Sequence, residues 1–154
     1  MGIRIFAVFA LVLVLMLGCI QPQISSAVPA DLEITYGYGA CHAEWGRTTL
    51  TIDAKGHGTS GNEGGQGMDA LVNLISKKSF TLSEKELLAL LNGIESSGFY
   101  SLGDSYSDLL VQDGSCSFIS VTKNNSTKTV SVSNTAAPEA FSKAADLISA
   151  ASSK

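Results

Sequence analysis

Residues 80–102, "FTLSEKELLALLNGIESSGFYSL", decide how the rest of this chain is read. Ser83 and Glu86 stand three apart as a capping box, and Leu82 and Leu87 are placed as the hydrophobic staple that fixes the chain's entry into a helix. Leu87, Leu88, Leu90, Leu91 and Ile94 make an apolar stripe at helical spacing, so this helix buries one face. Gly98 suits the left-handed position just past a helix end, and "GFYSL" follows with Phe99 and Tyr100 closing a core beneath it.

Upstream of the helix the period changes from 3.6 to 2. In "LEITYGY", Leu32, Ile34, Tyr36 and Tyr38 alternate with polar or small residues, and Leu50 and Ile52 do the same in "TTLTID", which is the pattern of half-buried strands. "YGYGACHAEWGR" connects them. "KGHG" reads as a hairpin turn, and the glycines after it read as a mobile loop. "ALVNLISKKSFTLS" is short and apolar enough to be helix or strand, with its Phe80 to Leu82 end entering the helix extended.

Downstream, "GDSYSDLLVQDGSC" is an acidic, turn-prone connection. "SFISVTK" and "KTVSVS" then alternate around "NNST" as a β-hairpin with Ile119, Val121, Val130 and Val132 on the buried side. Pro138 fits a first helical position, and Phe141, Ala144, Ala145 and Ile148 form the narrow stripe of a second helix. The expected order is roughly ββαββα, an α+β fold with two main helices packed on one face of an antiparallel sheet.

The 154 residues suit a single domain. The first twenty obey a different rule. Arg4 leads into "IFAVFALVLVLML", thirteen apolar residues, too short for the roughly 18 to 20 of a membrane-spanning helix and right for the core of an export signal. The run stops at "MLGC", where Gly18 before Cys19 resembles a lipobox, with Met16 standing where Leu, Val or Ile is usual. The expectation is a signal peptide over 1–18, a lipid on Cys19, a flexible tether over 19–30 and one folded domain over 31–154. Plain secretion after Ala27 or Ala30 is the rival, and an uncleaved N-terminal anchor is a third reading.

Cysteine parity points the same way. Three cysteines in an exported chain leave one over, and lipidation of Cys19 leaves Cys41 and Cys116 free to form one bridge. The alternative for Cys41 is a reactive thiol beside His42. That pairing is poor, because neighbouring side chains on a strand point to opposite faces.

The net charge is −4, and removing residues 1–18, whose one charged side chain is Arg4, takes it to −5. Basic residues stand singly apart from Lys77 and Lys78, which argues against nucleic acid as a partner. A metal site from His42, Glu44, His57 and Glu63 lacks the tight ligand pairs that seed zinc sites. The run Asp104, Asp108 and Asp113 departs from the calcium-loop pattern at Tyr106. "GHGTSGNEGGQG" lacks the Gly-Lys-Ser/Thr ending of a phosphate loop, and no "GxSxG" occurs. The reading is therefore non-enzymatic, without a cofactor. Asn124 and Asn125 begin overlapping sequons, "NNS" and "NST", at a predicted hairpin tip; the plainer account is a turn that favours asparagine.

Taken together, "ITYGYG", "TLTIDAKGHG", residues 80–106, "VQDGSCSFISVTKNNSTKTVSVS" and "AAPEAFSKAADLI" resemble a group of small exported domains of unknown function, many with lipoprotein leaders. The same layout is similar to emfourin-type inhibitors of thermolysin-like metalloproteases, over roughly residues 32–150. That resemblance implies an inhibitor as the alternative to a tethered binding domain, and it carries over no binding residue. The long glycine loop and the Cys41 and Cys116 pair are this chain's departures from it.

Overall fold

The computed structural model describes residues 25–41, 46–63, 77–108, 110–111 and 114–153. Within them lie strands β1 (Glu33–Ala40), β2 (Arg47–Asp53), β3 (His57–Glu63) and β4 (Lys78–Thr81), helix α1 (Glu84–Ser96), strands β5 (Ser105–Ser107), β6 (Ser115–Lys123) and β7 (Ser126–Ser133), and helix α2 (Glu139–Ala151). The sheet order is β4-β3-β2-β1-β6-β7-β5. The α+β class is as expected, but the described residues hold seven strands rather than four. The sheet is also mixed, because β5 runs parallel to β7 at one edge.

Why the extra strands form is visible in their partners. The glycine-rich "HGTSGNE" reads locally as a loop, yet it pairs with β2 on one side and β4 on the other. The Phe80 ring fills the space a side chain would take at Gly58, where an added Cβ would lie 2.1 Å from the ring's Cζ. Phe118 covers Gly37 in the same way on the opposite face, 2.2 Å from an added Cβ. An aromatic lid on a strand glycine restores the packing the glycine lacks.

One face of the sheet is apolar. Leu32 and Ile34, Leu50 and Ile52, Ile119 and Val121, and Val130 and Val132 form a single core with Leu87, Leu90, Leu91 and Ile94 of α1 and Phe141, Ala144, Ala145 and Ile148 of α2. Both helices therefore lie on that face. Leu88, at the flank of the stripe, is only half-buried. The helices approach closely, since a Cβ at Gly93 would meet Leu147 Cδ1 at 2.9 Å. Ser83 accepts from the Glu86 N–H while Glu86 Oε2 accepts from the Ser83 N–H at 2.9 Å, completing the capping box. Gly98 adopts φ +87° as the chain leaves α1, and this turn sends Phe99 back into the core. Pro138 is the residue before α2 rather than its first, with an extended ψ of 147°.

The opposite face is lined by hydroxyls. Register places Ser79, Thr59, Thr51, Thr35, Ser120 and Thr129 in one row across six strands. Neighbouring hydroxyls in the row bond to each other, at 2.8 Å for Thr51 and Thr59 and 2.9 Å for Ser120 and Thr129.

The antiparallel registers define two ends of the sheet. At one, Asp31 precedes β1 and clamps the β6–β7 hairpin: its carboxylate accepts the N–H of Asn125 at 2.5 Å and of Asn124 at 2.8 Å. Both asparagines have positive φ, 52° and 59°, as the two central residues of a type I′ turn require. The N–H of Asn125 first, then that of Asn124, hold Asp31 below its ordinary pKa of 3.8. A carboxyl lowered on folding stabilises fully above its unfolded value and loses that contribution as pH falls through the folded one. Acid titration should therefore move the Asn124 and Asn125 amide resonances in the wild type but not in Asp31→Ala, whose spectrum at neutral pH should already resemble the acid form at these two residues. Unchanged amides in Asp31→Ala would refute the clamp.

Candidate functional site

The other end of the sheet gathers the ends of β1, β3 and β7 and the starts of β2 and β6. Period-2 alternation puts Tyr36 and Tyr38 on the same side of β1 as Ile34, so their rings stack, with centroids 5.3 Å apart and planes 28° apart. Tyr36 packs against the core, whereas Tyr38 is 47% exposed beyond it. Burial, then the charges of Tyr38 and Asp146, pushes the Tyr36 phenol above its ordinary value, so it remains a hydrogen-bond donor at any physiological pH.

On the hydroxyl-bearing face of the same end, the Arg47 guanidinium stands 5.6 Å from the centre of the Phe118 ring. Phe118 itself rests on Gly37, so the cation stands over a ring packed against the sheet. Cys41 and Cys116 are joined by a disulfide between them, with Cα atoms 4.7 Å apart. The Cys41 N–H donates to Gly114 O, and the Ser133 hydroxyl donates to Cys116 Sγ at 3.3 Å. Asn134, at φ 58°, donates its Nδ2 to Val111 O and sets Oδ1 3.0 Å from Cys41 Sγ. The connection that follows Cys41 thus leaves from a fixed point. An exposed aromatic plate, a seated guanidinium and a rigid frame are means of recognition: stacking, charge and shape.

No protein-family model matches this chain, and no curated protein matches it.

The other residues singled out from the sequence are scattered. Cys19, His42, Glu44 and Asp113 lie outside the described residues. His57 begins β3 at the hairpin end and pairs with Asp53, Nδ1 to Oδ2 at 3.3 Å. Glu63 ends the same strand, about 20 Å away at strand rise. Asp104 pairs with Lys128 at 2.6 Å, and Asp108 accepts from the Leu110 N–H at 2.9 Å. Among the described residues, no three His, Cys, Asp or Glu side chains converge on a point that could hold a metal. Asn124 and Asn125 are exposed at the hairpin tip, far from Tyr38.

Two groupings escaped the sequence reading. The Tyr36 and Tyr38 pair had a signal, a spacing of two on a strand, but that spacing does not say that Tyr36 packs on the core while Tyr38 stands exposed. The Arg47 and Phe118 pair had none, since it joins β2 to β6 across β1.

Proposed function

We propose that this chain is a non-enzymatic exported domain, held to the membrane by a lipid on Cys19, that binds a protein or other ligand through the Tyr38 and Arg47 end of its sheet. The observation that carries this reading is polarity of the fold. The segment leading from the N-terminus docks at the hairpin end, with Ser25 on α1 and Asp31 on the turn, whereas the aromatic plate, the guanidinium and the disulfide stand at the other end of β1. Eight residues of strand separate them by about 26 Å. A domain tethered by one end offers the other to whatever approaches the cell surface.

Intact-mass measurement on protein extracted from membranes should show cleavage before Cys19 and the mass of attached acyl chains. Cys19→Ser should abolish the lipid and shift the protein to the soluble fraction or block its processing, leaving the melting curve of the domain unchanged. A mature chain beginning after Ala27 or Ala30 would end the lipid-anchor reading. Turnover in a broad hydrolase panel, lost on mutation of His42 or His57, would end the non-enzymatic one.

The resemblance to emfourin-type inhibitors supplies a second reading, which uses the same end. β1 ends there, and Cys41 just beyond it is fixed by the disulfide, as a segment offered to a protease cleft would need. Inhibition of a thermolysin-like protease at micromolar protein would select this reading, and its absence would remove it.

A further inference from the structure

Ser25 is bound to helix α1 at three points. Its N–H donates to Asn92 Oδ1 at 2.9 Å, its carbonyl accepts from Asn92 Nδ2 at 3.3 Å, and its hydroxyl donates to Glu95 Oε1 at 3.4 Å. The carboxamide of Asn92 thus meets the backbone of Ser25 as an adjoining strand would. Val28 then packs against the core, and Leu32 donates back to Pro29 O as the chain turns into β1. Residues 25–30, expected to be part of a free tether, are laid across the fold.

The contact is built to open without unfolding what lies beneath. The Glu95 side chain is 8% exposed, and its Oε1 accepts from both Ser25 and Lys123, so it keeps the Lys123 ammonium as a partner when the Ser25 hydroxyl leaves. The Lys123 ammonium also sits 4.5 Å over the Tyr100 ring, so α1, the turn after it and β6 stay joined when Ser25 leaves. Asn92 is only partly buried and can exchange its bonds to Ser25 for water.

We infer that the Ser25 and Asn92 contact is a releasable clasp that gives the tether two lengths and thereby sets how far the domain stands from the lipid surface. This rests on the lipid anchor proposed for Cys19. Ser25 stands six positions after Cys19, and a fully extended chain over that span reaches about 20–22 Å. With the clasp open, the next fixed point is Val28, nine positions after Cys19, and the reach grows to about 30–32 Å. Closed, the clasp holds α1 and the hairpin tip toward the bilayer; open, the domain can range over about one and a half times the height.

Two measurements on the full-length lipidated protein test this. Hydrogen exchange should show the Ser25 amide protected in the wild type and exchanging roughly tenfold faster in Asn92→Ala, with Asn92→Asp in between because it keeps the acceptor and loses the donor. In phosphatidylcholine vesicles carrying an acceptor-labelled lipid, a donor dye on Ser153→Cys should transfer less energy in Asn92→Ala than with Asn92 intact. Matching melting curves would show that the variants fold alike. Free exchange at Ser25 in the wild type, or equal transfer in both proteins, overturns the clasp while leaving the anchor standing. A mass without lipid on Cys19 overturns the anchor and, with it, the two-length tether.

Discussion

Replacing both Cys41 and Cys116 with serine is expected to lower the stability of the domain by about 4–5 kcal/mol, the chain-entropy value for opening a loop of this size. The two residues are 75 apart in sequence, so the bridge constrains more than half of the folded chain in its unfolded state. In a domain of this length the midpoint of thermal unfolding should fall by roughly 10–20 °C. Unfolding in urea, with and without reductant on the wild type, separates the bridge from the substitution: reduced wild type and the double variant should share a midpoint. A loss below about 1 kcal/mol would mean that the unfolded chain is already restrained, or that the bridge strains the fold. The change should also be local in the native state. Amide exchange should quicken at Cys41 and Asn134, whose bonds to Gly114 and Ser115 frame the bridge, and stay as it was in α1.

Phe99→Ala should cost a further large amount, about 3–5 kcal/mol, by removing a fully buried ring and leaving a cavity. Phe99 is held there by the backbone as much as by its apolarity. The left-handed Gly98 reverses the chain, and the ring then meets Tyr100 edge-on at 5.5 Å and 78°. Burial, with the charge of Glu95 nearby, pushes the Tyr100 phenol up to about 12, so it stays neutral in this cluster. Leu88→Ala, on the half-buried flank of α1, is the control and should cost well under half as much. Equal effects of the two substitutions in a urea titration would show that Leu88 is packed as deeply as Phe99.

The features readable from the sequence were those whose cause is local. A capping box, a staple and a glycine lie within sixteen residues of one another, and each satisfies groups belonging to the same helix. The β6–β7 hairpin carries its own turn chemistry in Asn124 and Asn125 and its own alternation in Ile119 to Val132. β3 was hidden because its stability comes from elsewhere: the Phe80 ring that covers Gly58 is more than twenty residues away, and the strand's own composition favours a loop. β5 was hidden for a similar reason. It is three residues long and parallel to β7, a pairing that no turn announces. At the candidate site, the cysteine pair could be proposed from parity alone, whereas the seating of Arg47 on Phe118 needed the strand order. Ser25 meets Asn92 across 67 residues, a contact set by the path of the chain over α1 rather than by any pattern in "ISSAVPA".

The row of hydroxyls from Ser79 to Thr129 bears on why one layer of helices suffices. Threonine has nearly the outline of valine, so along most of this row the chain keeps the branched shape that favours extended backbone and gives up only the greasiness. Hydroxyls that bond sideways to their neighbours on the next strand tie the strands together on the wet side, as the aliphatic side chains do on the dry side. Valine in the same places would spread an oily plane across six strands, inviting a second sheet to stack on it. With threonine the plane can hold water instead, so the row itself calls for no second apolar layer over it.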